Sequence, residues 1–302
     1  MTFLPPPSPM RPLGRSGLDV SALAWGNWRL CGDDVGASAE LLRTAIDAGI
    51  NLIDTADIYG PDNDEPFGAS EALLGRVLTQ DRSLRGRIVL ATKAGISMGV
   101  PYDSSYAYLT QAIEDSLRRL STDCIDLWQI HRPDILTHPE EIARAVGDAQ
   151  QSGKIRAFGV SNFASDQVAT LQRFLDTPIV SIQPELSPLR LQSIENGELD
   201  QAIGLGMAVL AWSPLGGGRI ADPRSARDQA VAAALDPVAE AHGVSRTAAA
   251  YSWIMAHPAR PIPIVGSQRA GRITEAMDAL KVRWTRTAWY KILVASKGEP
   301  LP

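Results

Sequence analysis

Thiols and imidazoles are scarce: across 302 residues there are two cysteines, Cys31 and Cys124, and four histidines. Two thiols so far apart make no disulfide framework, and His131, His138, His242 and His257 show no H-E-x-x-H or similar ligand spacing. No metal centre is expected, and a reducing cytoplasm suits such thiols. No run of 18 apolar residues occurs, and Met1–Met10 has no basic segment leading into an apolar one, so neither a membrane helix nor an export signal is expected. Basic residues are scattered rather than gathered into a stripe, and the net charge is -5; nothing calls for nucleic acid. A dinucleotide fingerprint is missing as well, since Gly204-Leu205-Gly206 lacks the third glycine and precedes a strand instead of following one.

What is present is an ordinary globular composition, 45% hydrophobic and 21% charged, arranged in a regular rhythm. Short apolar runs of strand length alternate with longer stretches of helical periodicity. The expected strands are 23–26, 51–54, 87–92, 125–130, 155–160, 180–183, 208–212 and 262–265. The expected helices are 38–48, 69–78, 105–120, 139–152, 165–174, 192–204, a long region 227–256, and 269–280. Eight strands, each followed by a helix, predict a (β/α)8 TIM barrel in the α/β class, and such a barrel accommodates the whole length as one domain. Gly49 and Gly153 stand at helix ends that need a left-handed cap, and Ser165 and Ser245 at helix starts. Gly14-Arg15-Ser16-Gly17 predicts a tight turn in an N-terminal hairpin plugging the barrel bottom, and 284–297 one more, C-terminal helix. The domain is expected to span 13–302, with the proline-rich 1–12 as a flexible arm.

Function in such a barrel collects at the strand C-terminal ends. That rule places Asp54, Tyr59, Lys93 and His131 on one rim, from the second, third and fourth strands. Singly, each also fits a structural role: Asp54 a helix cap, Lys93 a snorkelling side chain, His131 a core histidine. Jointly they form a proton-transfer device. Trp25 and Trp28, with Tyr102 and Phe163, are aromatic residues of rim loops that could line a substrate pocket or simply pack.

I-D-T-A-D-I-Y-G at 53–60, T-K at 92–93, I-H-R-P-D at 130–134, G-V-S-N-F at 159–163, A-W-S-P-L-G-G-G at 211–218 and P-I-V-G-S at 263–267 resemble the signature segments of aldo-keto reductases. Trp28-Arg29-Leu30 and the glycine run ending at Arg219 are most like the bacterial YdhF-like branch of that family. The resemblance implies reduction of an aldehyde or ketone by NADPH, with Tyr59 protonating the carbonyl oxygen. Lys93 is then expected to lower the phenol's pKa, Asp54 to hold Lys93, and His131 to orient the substrate oxygen. It further implies that Ser161, Asn162 and Gln183 hold the carboxamide and that Trp212 stacks on the ring. Ser213, Leu215 and Gly217 would approach the pyrophosphate, and Gly266, Ser267, Gln268, Arg272 and Glu275 the adenosine 2′-phosphate end. Two departures bear on the preference for NADPH over NADH: Gly266 stands where many members carry lysine, and Ala276 where asparagine often follows the glutamate. Expected partners are a small carbonyl compound and NADPH or NADP+, with NADH possible, no metal, and a monomer or weak oligomer.

Overall fold

The computed structural model describes residues 3–302; Met1 and Thr2, part of the expected arm, lie outside the described residues. In chain order the elements are β1 (Met10–Pro12), β2 (Asp19–Ser21), β3 (Ala24–Gly26), α1 (Val35–Asp47), β4 (Leu52–Asp54), α2 (Ala69–Gln80), β5 (Val89–Ala94), α3 (Tyr106–Leu120), β6 (Ile125–Ile130), α4 (Pro139–Gln151), β7 (Ile155–Ser161), α5 (Ser165–Gln172) and β8 (Ile179–Gln183). There follow α6 (Gln192–Glu195), α7 (Glu198–Leu205), β9 (Ala208–Ala211), α8 (Ala226–His242), α9 (Arg246–Met255), β10 (Ile262–Val265), α10 (Ala270–Ala276) and α11 (Arg286–Lys297). β3 to β10 close into a parallel barrel, with β10 pairing back onto β3. This is the expected (β/α)8 fold.

Successive side chains of a strand point to opposite faces, and that alternation divides the core in two. Ala24, Leu52, Val89, Ala91, Leu127 and Leu210 fill the barrel interior. Ile53, Leu90, Trp128 and Phe158 face outward into the helix layer. Continuing the inward set two residues up each strand reaches Asp54, Lys93 and Gln129, then His131 just past β6. The period of two therefore seats polar groups on an apolar floor, all at the strand ends.

The hairpin is present and sits where the bottom plug was expected: Leu13 and Val20 pack with the barrel interior. Its turn presses so closely on the barrel that a Cβ on Gly14, at φ +54, would lie 2.1 Å from the Val180 carbonyl oxygen. It starts earlier than the expected domain boundary, because Met10–Pro12 already pairs with Asp19–Ser21. Leu4 donates its backbone amide to the Trp284 carbonyl, so the described part of the expected arm, residues 3–12, is anchored at two points rather than free.

Two expected helices are each split. Gly197, at φ +86, separates α6 from α7, and Gly243, at φ +62, ends α8 before Ser245 caps α9. Ser165 is the first residue of α5, not its cap, a position taken by Ala164.

Candidate active site

Asp54 and Lys93 come from neighbouring strands whose register sets Asp54 beside Ala91, one inward step below Lys93. The Lys93 ammonium is fully buried, donating to Asp54 Oδ2 at 2.7 Å and to the Thr55 carbonyl at 2.8 Å. The other carboxylate oxygen, Asp54 Oδ1, accepts from Gln183 Nε2 at 3.0 Å. A buried ion pair persists only with further hydrogen-bond partners, and here the Thr55 carbonyl and the Gln183 amide supply one to each member. Burial opposes the charge on Lys93, but the Asp54 carboxylate and the Tyr59 hydroxyl outweigh it and raise its pKa. The lysine is held as an ammonium.

Tyr59 reaches this pair from the β4–α2 loop. Asp57 N donates to the Lys93 carbonyl, Tyr59 N to Ala56 O, and Ser70 N to Tyr59 O, so the loop is tied to β5 and α2 on either side of the phenol. Gly60 follows because the loop folds back on itself: a Cβ there would lie 1.9 Å from Pro66 O. The Lys93 ammonium lies 5.2 Å from the Tyr59 ring centroid. The His131 ring meets the phenol edge-on, with centroids 5.9 Å apart. Lys93 does act to lower the tyrosine's pKa as expected, but the expected net result does not hold. Burial raises the phenol's pKa, Asp54 adds to it, and together they exceed the ammonium's effect. Burial, then Lys93 and Arg132, push His131 well below the usual histidine value. A neutral imidazole with an unpartnered Nδ1 thus stands beside a protonated phenol.

The structure brings Ser161, Asn162 and Trp212 into one chain of hydrogen bonds. Trp212 Nε1 donates to Asn162 Oδ1 at 2.9 Å, and Asn162 Nδ2 donates to Ser161 Oγ and to the His131 carbonyl. Ser161 is fully buried and gives its own proton to the Gln183 carbonyl. Trp212 is half-buried above the barrel interior, with the Arg132 guanidinium 5.7 Å from its ring centroid. Ser213 and Gly217 follow in a turn where Ser213 Oγ accepts from Gly217 N. Leu215 packs into the core beside them. Beyond β10, Gly266, Ser267 and Gln268 are partly buried, Arg272 is exposed and forms no ion pair among the described residues, and Glu275 accepts from Thr247.

Not every expected residue reaches the rim. Trp25 points outward from β3 into the helix layer, is fully buried, and donates its indole N–H to Ser267 O at 3.0 Å. It cannot touch a substrate. Phe163 is likewise a core residue, whereas Trp28 is 40% exposed and bonded to Asp62, and Tyr102 is exposed. Four polar residues in or beside the site escaped the sequence reading. Asn27, directly after β3, is fully buried with both amide atoms unpartnered. Arg29 stacks 4.5 Å over Trp28 and approaches the Gly266 carbonyl at 3.5 Å. Arg132 follows His131, and Asp57 lies within the Tyr59 loop. Polarity directly after a barrel strand was the available signal for Asn27 and Arg132.

The described residues hold no group of three side chains able to bind a metal ion, and no helix long and apolar enough to cross a membrane. They do fit a nicotinamide cofactor. Among the described residues, His131 Nδ1, the Asn27 amide and Gln268 Oε1 at the rim have no partner, Gly217 and Gly218 have open space around them, and Arg29 and Arg272 form no ion pair.

Comparison with known proteins agrees with this geometry. The chain is 60% identical to a 6-dehydroglucose reductase of Novosphingobium aromaticivorans over the full length of both. It is 35% identical to a 6-dehydroglucose reductase of Agrobacterium fabrum, covering 93% of this chain and 96% of that one. Identity to the oxidoreductase YdhF of Escherichia coli is 33%, covering 95% and 97%. A crystal structure of the thermostable aldo-keto reductase Tm1743 with the inhibitor epalrestat superposes with a TM-score of 0.81 at 25% identity, covering 95% of this chain and 99% of that one. The sequence model of the Aldo/keto reductase family matches residues 22–293, and the chain belongs to that family of oxidoreductases.

Proposed function

We propose that the protein is an NADPH-dependent carbonyl reductase, that Tyr59 is its general acid, and that its substrate is 6-dehydroglucose, glucose carrying a carbonyl at C6. The observation that carries the mechanism is the fully buried Lys93–Asp54 pair beside the Tyr59 phenol. The substrate rests on 60% identity along the whole chain to a reductase of that name.

A bound reduced nicotinamide supplies the hydride. The protein must then deliver a proton to the oxygen and stabilise charge there as it develops. Tyr59 is protonated throughout the neutral range, since burial raises its pKa above the ordinary tyrosine value. Lys93 stabilises the phenolate left after transfer, and Asp54 with Gln183 keeps Lys93 in place. Neutral His131 donates one ring N–H to the substrate oxygen without competing as an acid. Purified protein should consume NADPH with 6-dehydroglucose at a higher kcat/KM than with simple aldehydes or quinones, measured by NADPH absorbance. Binding of NADPH with no turnover of any carbonyl compound would instead identify a cofactor-binding protein that is not a reductase.

Preference for the 2′-phosphate rests on Arg272 and Ser267, with Arg29 a second cation placed beside the Gly266 carbonyl. A hydrogen bond to a charged group contributes about 1.5–3 kcal/mol, so Arg272→Ala should weaken NADPH binding roughly tenfold to a hundredfold. NADH affinity should hardly move, because NADH lacks that phosphate; a damaged fold would weaken both. If Arg272→Ala keeps the NADPH-to-NADH ratio and Arg29→Ala loses it, the phosphate lies against Arg29.

A further inference from the structure

Behind the loop that carries Tyr59, between that loop and α3, lies a cavity of about 260 Å³ that the reaction does not use. Asp57, Phe67, Tyr108, Gln111, Asp115 and Arg119 are among the residues that line it. Asp57 is 1% exposed, and its Oδ1 has no hydrogen-bond partner among the described residues. A buried carboxyl oxygen without a donor is costly, and such groups in native proteins are nearly always paired.

The other charges around the cavity are already matched. Glu71 accepts from Thr92, Ser116 and Arg119, so the Arg119 guanidinium is committed to Glu71 at 2.7 Å. Asp115, on α3, is paired with Arg118 at 2.7 Å and also accepts from Gln111. Asp57 is left as the acid of this cavity that forms no ion pair among the described residues, its nearest cations, Arg119 and Lys93, being bound to Glu71 and Asp54. The geometry points to a second binding site here for a compact organic cation, a primary ammonium on a short apolar stem, with the ammonium on Asp57 and the stem against Phe67 and Tyr108.

Such a ligand supplies what the cavity lacks. A turn of the Asp57 side chain presents its buried Oδ1 to the ligand's N–H donors in a charge-assisted hydrogen bond, and the aromatic rings favour a cation and an apolar stem together. An anion would meet Asp57 and Asp115, with the one lining cation, Arg119, already paired with Glu71. A metal ion would find no third ligating side chain. Burial, then Glu71, raise the Asp57 pKa well above the carboxylate range, while Arg119 and Lys93 oppose them. The arriving ammonium therefore displaces a proton from the carboxyl, and binding strengthens as pH rises.

The test is an NMR titration of the full chain with n-butylammonium, n-butanol and inorganic phosphate, reading backbone amide shifts around Ser97 and Gln111. The ammonium should bind about tenfold more tightly than the isosteric alcohol, and Asp57→Asn should bring the two to equal affinity. Gln111→Trp, a substitution at an exposed position of α3, should block the mouth and remove binding of both. Should Asp57→Asn fail to fold, the wild-type preference for ammonium over alcohol and its loss in Gln111→Trp still decide. Equal affinities for ammonium and alcohol in the wild-type chain, ammonium binding unchanged in a folded Asp57→Asn, or phosphate binding more tightly at the same amides would each overturn the assignment. Its failure is distinct from that of the reductase reading, which is measured by NADPH consumption.

Discussion

Tyr59→Phe should lower carbonyl reduction by about two orders of magnitude or more, the scale usual for loss of a general acid, with NADPH affinity little changed. The substitution removes one hydroxyl and leaves the ring, so the edge-on contact with His131 at 5.9 Å and the position of the loop are retained. The loop is held through backbone bonds at Asp57, Tyr59 and Ser70, none of which uses the phenol oxygen. Loss of rate in a variant that folds and binds cofactor normally therefore reports proton delivery alone. His131 is no substitute acid: burial, Lys93 and Arg132 hold its pKa well below the ordinary histidine value, so at neutral pH it has no second proton to give. Steady-state kcat with 6-dehydroglucose, beside NADPH titration of the same preparation, separates the effects. Turnover near the wild-type rate would remove Tyr59 from the chemistry whatever the substrate.

The barrel and its four central residues were legible because both depend on short-range order. Apolar runs of strand length recur between helical stretches, and the period of two along β4, β5 and β6 carries the inward face from Leu52 to Asp54, from Ala91 to Lys93, and from Leu127 through Gln129 to His131. Trp25 failed for the same reason that these succeeded. It is one residue out of phase with Ala24 and Gly26, and a shift of one residue in a strand exchanges barrel interior for helix layer. Its partner, the carbonyl of Ser267, follows β10, at the far end of the chain, and meets β3 only when the barrel closes. The splitting of the two long helices at Gly197 and Gly243 depended on left-handed backbone conformations, and glycine permits these without requiring them. The balance of charges escaped as well: the sequence shows that Lys93 is near Tyr59, but only the packed structure shows that burial outweighs the ammonium.

Lys93→Met should be the most destabilising single change at the site. It leaves the Asp54 carboxylate buried in the barrel, with Gln183 as its remaining side-chain donor. Removing one partner of a buried ion pair costs about 3–5 kcal/mol, because the surviving charge has lost both its water and its counter-ion. The sign of the pH dependence follows from the lysine. Its pKa is raised in the folded protein above the ordinary 10.5, so its contribution is fully present below that value and is lost only as pH rises through the higher, folded one. The difference in stability between wild type and Lys93→Met should thus be flat with respect to the lysine across neutral pH. A second substitution separates charge from packing. Asp54→Asn on the Lys93→Met background removes the stranded charge yet keeps an oxygen to accept from Gln183, and should return most of the lost stability. Activity should return in neither variant, since no ammonium remains to stabilise the Tyr59 phenolate. Denaturant unfolding of the three proteins measures the first effect and NADPH consumption the second. If the single variant loses less than about 1 kcal/mol, the scale of an exposed pair, and the double variant is no more stable than the single, the Lys93–Asp54 pair is not the buried electrostatic unit on which the proton transfer depends.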